Sequence, residues 1–183
     1  MATSTKHHIL SILALPFNVL ITIPTLILYF SQDFNWGLGF KGNQAYFFYL
    51  LAILLIFIGL YLMLSTIRLF ANVGKGTLAP WNPTQKLVVK GVYKRVRNPM
   101  ITGVLLILLG ETIFFGSTYL LLWFLLFFFV KHIYFLLSEE PELQKRFGTS
   151  YERYRQNVPR WLPRLQQWQD EAKEEMELEN KTN

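Results

Sequence analysis

Cysteine is absent from this 183-residue chain, which excludes disulfides, thiol catalysis and cysteine-ligated metal. Histidine is scarce: His7, His8 and His132 are too few and too scattered for a metal cluster, so no metal site is expected. Charge is sparse too, at 16% of residues, where a soluble domain carries about a quarter. In its place stand 52% hydrophobic and 16% aromatic residues, a composition for which lipid is the natural solvent. The formal net charge of +6 does not point to nucleic acid. The cations lie in short segments beside apolar runs, as expected of loops on the cytoplasmic side of a membrane protein.

Four stretches reach the roughly 20 apolar residues that a membrane-crossing helix needs. They run from about Ile9 to Phe30, Tyr46 to Phe70, Met100 to Phe115 and Tyr119 to Leu137. Pro16, Asn18 and Pro24 predict a kink in the first. Ser31-Gln32-Asp33 offers no small-x-small cleavage site after it, so it does not read as a signal peptide. Arg68 is close enough to the end of the second stretch to snorkel. Only Gly116-Ser117-Thr118 separates the third from the fourth, which must therefore form a tight hairpin, with Gly103 and Gly110 as close packing points. The expected fold class is all-α: a polytopic membrane protein of about four transmembrane helices, with a C-terminal helical hairpin and a cytoplasmic amphipathic helix. The expected organisation is two N-terminal spans over 1–70, a chemistry-bearing region over 71–164, and a polar acidic tail over 165–183.

Loop charge sets the orientation. Ser31 to Gln44 carries one acid and one base, whereas Ala71 to Asn98 holds Lys75, Lys86, Lys90, Lys94, Arg95 and Arg97 with no acid. Lys145, Arg146, Arg153, Arg155, Arg160 and Arg164 follow the fourth span. Both termini and the middle loop are therefore expected in the cytoplasm, as in a multi-pass protein of a bacterial inner membrane. Phe147, Tyr151, Tyr154 and Val158 recur at helical spacing as an aromatic stripe, to lie on the membrane surface or to cover a site. Gly148 is expected to interrupt that helix, and Pro159 and Pro163 to end it.

Two segments could carry chemistry. The middle loop contains Gly74-Lys75-Gly76-Thr77, which lacks the strand-to-helix context of a nucleotide fingerprint, and ends in Arg97-Asn98-Pro99. Asn98 reads as a helix cap and Pro99 as a first helical residue. Glu139 and Glu140 follow the fourth span, where acids commonly serve a new helix N-terminus. The short hairpin nevertheless brings both segments to one membrane depth, which suits a polar cofactor. Glu111, Lys131 and His132 lie within the apolar spans, where ionisable groups usually face a partner, a cavity or a functional path. Antiparallel pairing from the turn sets Glu111 and Lys131 at different heights and argues against an ion pair between them.

The run LVVKGVYKRVRNPM (Leu87 to Met100), an apolar hairpin, and then EEPELQKRFGTSYERYRQNVPRWLP (Glu139 to Pro163) resembles the isoprenylcysteine carboxyl methyltransferase and phospholipid methyltransferase superfamily, particularly its short bacterial members. The resemblance covers about half the chain. It implies S-adenosylmethionine as methyl donor at the cytoplasmic mouth of the hairpin and a lipophilic acceptor that is isoprenylcysteine-carboxylate-like or phospholipid-amine-like. On this resemblance Gln85, Lys86, Leu87, Val88, Gly91, Tyr93, Asn98, Pro99, Met100 and Ile101 would surround the cofactor. Glu139 would touch it, Glu140 would stand beside it, and Arg97 would orient the loop or meet an anion. The isoprenylcysteine branch has His and Tyr where this chain has Asn98 and Ile101. It also has a carboxylate-binding arginine where Phe135 stands, which takes the charge partner from a prenylcysteine carboxylate. An amine or phenol acceptor would need a base, for which Glu140, Glu111 and His132 are candidates. The alternatives are an NADPH-dependent reductase of the sterol-reductase type and a non-catalytic membrane protein that binds anionic lipid. The partners expected are a lipophilic acceptor and membrane lipids. The sequence carries no signal of oligomeric state.

Overall fold

The computed structural model describes residues 16–73 and 87–169. His7, His8, the start of the first apolar stretch, Gln85, Lys86 and the tail from Asp170 lie outside the described residues. All regular structure among the described residues is helical. Its elements are α1 (Asn18–Ser31), α2 (Asn43–Val73), α3 (Pro99–Phe115), α4 (Thr118–Tyr134) and α5 (Glu140–Asn157), with a π turn over Phe135–Glu139 that makes α4 and α5 one continuous helix.

Two helices are long and apolar enough to cross a membrane, Asn43–Leu69 and Thr118–Asn157. Only 17% of the apolar window of each is buried within the protein, so these helices expose their apolar surface, unlike the core helix of a soluble domain. α1 and α3 are apolar and shorter among the described residues, which begin inside the first apolar stretch. At ~1.5 Å per residue α3 rises ~25 Å, against a hydrocarbon core of ~30 Å.

The expected kink in α1 is a π turn over Asn18–Thr22, closed by Ile23 N–H on the Asn18 carbonyl. The next bond in that register would come from residue 24, but Pro24 has no N–H and leaves the Val19 carbonyl open. Trp123 of α4 takes it, its indole N–H donating to Val19 O at 3.2 Å. The kink thereby adds a hydrogen bond to the packing of α1 on α4.

α2 and α3 meet through glycine. A Cβ on Gly103 would lie 2.6 Å from the Gly59 carbonyl, and one on Gly59 would lie 2.6 Å from the Gly103 carbonyl. Gly110 has the same constraint against the Ala52 carbonyl, at 2.8 Å. Small residues let the two backbones touch, which is how apolar helices associate where lipid supplies no hydrophobic drive. Val104, Leu105, Ile107 and Leu108 on the rest of α3 pack with Leu20 and Phe127 as the buried core.

The hairpin turn is as tight as expected. Gly116 closes α3 at φ +61°, and Ser117 caps α4 by accepting from Leu120 N at 3.4 Å. Asp33, from the α1–α2 connection, accepts from Thr118 N at 2.7 Å and adds its charge to the α4 N-terminus. Because α3 and α4 are each 17 residues long and antiparallel, Pro99 and the Phe135–Glu139 π turn return to one end.

Candidate active site at the hairpin mouth

At that end three segments converge: the loop over Leu87–Asn98, the π turn with the start of α5, and the strap over Val158–Trp168 that follows α5. The α5 stripe settles one open question. Tyr151, Tyr154 and Val158 pack on Leu87, Val89 and Trp168, so the stripe covers the loop. Gly148 interrupts α5 with φ +53° and ψ −130°, and the helix ends at Asn157, ahead of Pro159.

The strap then runs back along the loop. Arg97 N–H donates to Pro159 O, Arg164 N–H to Arg95 O and Trp168 N–H to Lys94 O, each at 2.9 Å. Tyr154 Oη donates to Tyr93 O at 2.7 Å. Trp161 enters the helical part of the mouth. Its carbonyl accepts from Thr102 Oγ1 at 3.2 Å, its indole N–H donates to His132 Nδ1 at 3.1 Å, and its ring meets Phe128 and Phe135 at 5.8 and 5.3 Å. His132 is therefore a hydrogen-bonded residue that faces the strap. Phe135, 3% exposed, is sealed under that tryptophan.

Glu140 holds the three segments together. Its Oε1 accepts from Arg97 Nη1 at 2.8 Å and from Arg160 Nε at 2.6 Å, and its Oε2 accepts from Arg160 Nη2 at 2.9 Å. Burial by itself would raise this carboxyl. The Arg160 hydrogen bonds and the charges of Arg97, Arg160 and Arg155 outweigh it and hold the group below the usual carboxylate range.

Glu139 stands one residue away in a different environment. It is half-buried, and no described residue donates a hydrogen bond to it. Burial, the larger effect, raises its carboxyl; Lys131 lowers it, while Glu140 and Glu142 raise it further, and the net value is about 7. Glu139 lies two residues past Leu137, the last of the apolar run. The π turn supplies the separation of roles, because a wide turn re-aims the residues that follow it. Tyr93 is shifted up by burial first and then by the negative charge of Glu139.

Lys131 does not bridge to Glu111. Its ammonium rests on the rings of Phe127 and Tyr134, at 5.9 and 5.5 Å. Glu111 lies deep in α3, away from the mouth, with Oε2 buried and without a hydrogen-bond partner among the described residues. Asn98 departs from the expectation of a side-chain cap. It makes no capping hydrogen bond, and only its carbonyl serves the helix, by accepting from Thr102 N at 2.9 Å. Arg97 Nε is also buried, with no hydrogen-bond partner among the described residues. Sequence reasoning did not single out Arg160, Trp161, Trp168 or Asp33; for Arg160 the available signal was an arginine held between two prolines beside a tryptophan.

Residues 47–150, more than half the chain, match the family model for phospholipid methyltransferase. An uncharacterised protein of Haemophilus influenzae is 38% identical over 63 residues, 34% of this chain and 100% of that protein. The protein-S-isoprenylcysteine O-methyltransferase of Schizosaccharomyces pombe is 38% identical over 85 residues, 45% of this chain; the chain thus spans 35% of that enzyme's length. No solved structure matches. On the family match, and with two exposed apolar helices long enough to cross a bilayer, the chain belongs to the phospholipid methyltransferase family, membrane methyltransferases that use S-adenosylmethionine.

Proposed function

We propose that this chain transfers the methyl group of S-adenosylmethionine to a lipophilic acceptor at the cytoplasmic mouth of the α3–α4 hairpin. In this reading α1 to α4 all lie within the bilayer and both termini face the cytoplasm. The observation that carries it is the arrangement around Arg97: the Glu140–Arg160 clamp fixes the guanidinium and leaves Nε buried and unspent. Beside it the N-terminus of α3 has no side-chain cap. A fixed donor next to an uncapped helix N-terminus suits an anionic group such as the carboxylate of the donor molecule.

The residues fit that cofactor. Arg97 and the first-turn amides of α3 would receive its carboxylate, while Leu87, Val88, Gly91, Tyr93 and Asn98 to Ile101 would border the rest; Gln85 and Lys86 belong to the same proposal by resemblance alone. When bound, the cofactor supplies an electrophilic methyl on a sulfonium. The protein's task is then to align the acceptor and exclude water. The α5 stripe and the Trp161 strap roof the loop and do the second. Positioning falls to Arg97, which Glu140 and Arg160 lock, so Glu140 supports the site through Arg97. His132 supports it through Trp161. Glu111 is too far into α3 to share this duty.

The test is calorimetric titration of the detergent-purified protein with S-adenosylmethionine, S-adenosylhomocysteine and NADPH. Binding of the adenosyl ligands, weakened by Arg97→Ala, is expected. Binding of NADPH alone, or of none of the three, overturns the reading.

A further inference from the structure

We infer that the strap over Val158–Trp168 is inserted in the cytoplasmic leaflet, where it presents Leu162 and Leu165 to lipid, and that the bilayer thereby holds the roof of the site shut; this rests on the membrane reading above. The strap's partners set its depth. Arg97 N–H donates to Pro159 O and Arg164 N–H to Arg95 O, so at Pro159 and at Arg164 the strap lies level with the basic loop. Between those two points Trp161 goes deeper. Its carbonyl accepts from Thr102 Oγ1 in the first turn of α3, and its ring meets Phe128, His132 and Phe135 of the fourth apolar stretch. That stretch continues to Leu137, 77% exposed and a helical rise of roughly 13 Å beyond Phe128. The tip of the strap therefore reaches below the end of the apolar run.

The strap's side chains are sorted the wrong way round for water. Arg160 turns inward to Glu140, and Arg164 Nη1 donates to the Asn157 carbonyl at 2.7 Å. Trp161 faces the protein as described, and the Trp168 ring meets Tyr154 at 5.7 Å. Leu162 and Leu165 are left outward at 80% and 92% exposure, more than any other large apolar side chain described, those of the long apolar helices included. A lone exposed leucine needs no explanation. Two that follow a residue pinned within the apolar depth, on a strap whose arginines are bonded to protein, match lipid instead. In the leaflet the leucines enter the boundary of the acyl chains, and Arg95, exposed at the rim of the loop, lies at the level of the headgroups.

Insertion has a consequence for the site. The strap roofs the loop through three backbone hydrogen bonds, from Arg97, Arg164 and Trp168, and lifting it breaks them. Lifting it also carries Leu162 and Leu165 from lipid into water, which apolar surface resists. Whatever contacts one of two states better shifts the population toward that state. Lipid contacts the closed strap through these leucines, so the bilayer adds to closure beyond what the protein's own bonds supply.

The chain has no cysteine, so single-cysteine variants need no altered background. Leu162→Cys, Leu165→Cys, Leu137→Cys and Gln156→Cys, each carrying a nitroxide, are reconstituted in vesicles of phosphatidylethanolamine and phosphatidylglycerol. Electron paramagnetic resonance then compares collision with oxygen, which concentrates in hydrocarbon, and with a water-soluble nickel chelate. The label at 162 should favour oxygen at least threefold, as at 137, and the label at 165 should favour it less strongly; 156, exposed on α5, should favour nickel. A label at 162 or 165 that favours nickel, or that meets neither reagent because protein covers it, overturns the inference. A label at 137 that favours nickel fails the membrane reading itself. Closure is read by amide hydrogen exchange in the same vesicles. Leu162→Glu with Leu165→Glu should speed exchange in the strap and in residues 94–97 at least tenfold and leave α2 and α3 within twofold; the uncharged pair Leu162→Ala with Leu165→Ala should give a smaller rise in the same segments. Exchange equal to wild type in both double variants overturns the claim that lipid holds the roof.

Discussion

Arg160 grips Glu140 through two hydrogen bonds, of 2.6 and 2.9 Å, from a strap twenty residues further along the chain. That grip joins the end of the α4–α5 helix to the loop that leads into α3, because Glu140 also receives Arg97. Breaking it leaves Glu140, 7% exposed at its side chain, with Arg97 as its remaining ion-pair partner. We expect Arg160→Ala to cost about 3 kcal/mol, the lower end for a buried pair. Thermal unfolding in detergent checks this, and Glu140→Ala with Arg160→Ala should cost clearly less than the sum of the two single changes.

The same cluster predicts acid sensitivity. Glu140 is held below its ordinary value of 4.5, so the stability it lends is present above that pH and is lost as the pH falls through the lowered folded value. Melting temperature measured against pH should decline below about pH 4.5 in wild type. Glu140→Gln should begin less stable and decline less. An equal decline in both would place the acid-labile group elsewhere.

Gly103→Ala should push α2 and α3 apart, because its Cβ would fall 2.6 Å from the Gly59 carbonyl, a backbone atom with no rotamer to yield. The expected cost is about 1–3 kcal/mol, as for other overpacked interfaces. Gly59→Ala meets the same contact from the other side. The double variant, assayed by the same thermal unfolding, should therefore be less destabilised than the two single losses added together.

Trp161→Phe keeps a ring among Phe128, His132 and Phe135 but removes the donor to His132 Nδ1. We expect a loss of about 1 kcal/mol. Trp161→Ala also empties the space over Phe135 and should cost about 3 kcal/mol or more. His132→Ala combined with Trp161→Phe separates the bond from the packing: if the bond carries the effect, the second change adds little.

Much of this protein is legible in its sequence because the bilayer leaves few options. Apolar runs predict helices, since backbone groups in lipid must bond within their own segment. Three residues between two apolar runs force a hairpin, and the hairpin alone predicts that Arg97 and the glutamate pair share one depth, as their 2.8 Å ion pair shows. Gly148, Pro159 and the aromatic stripe mark the C-terminal helix by local backbone chemistry that needs no partner.

Other features were decided only by tertiary structure. Helix exposure was one: the two long apolar helices, Asn43–Leu69 and Thr118–Asn157, have only 17% of their apolar windows buried within the protein. The assignment of the two glutamates was another. They are identical in sequence chemistry, and what distinguishes them is a π turn and an arginine brought from position 160 by the strap. The loop reads as basic in the sequence, but only the fold spends Arg97 on Glu140 and leaves Glu139 without a hydrogen bond from any described residue. A residue's type states what it can bond to; which of its oxygens remains free depends on every group the chain delivers to the same place.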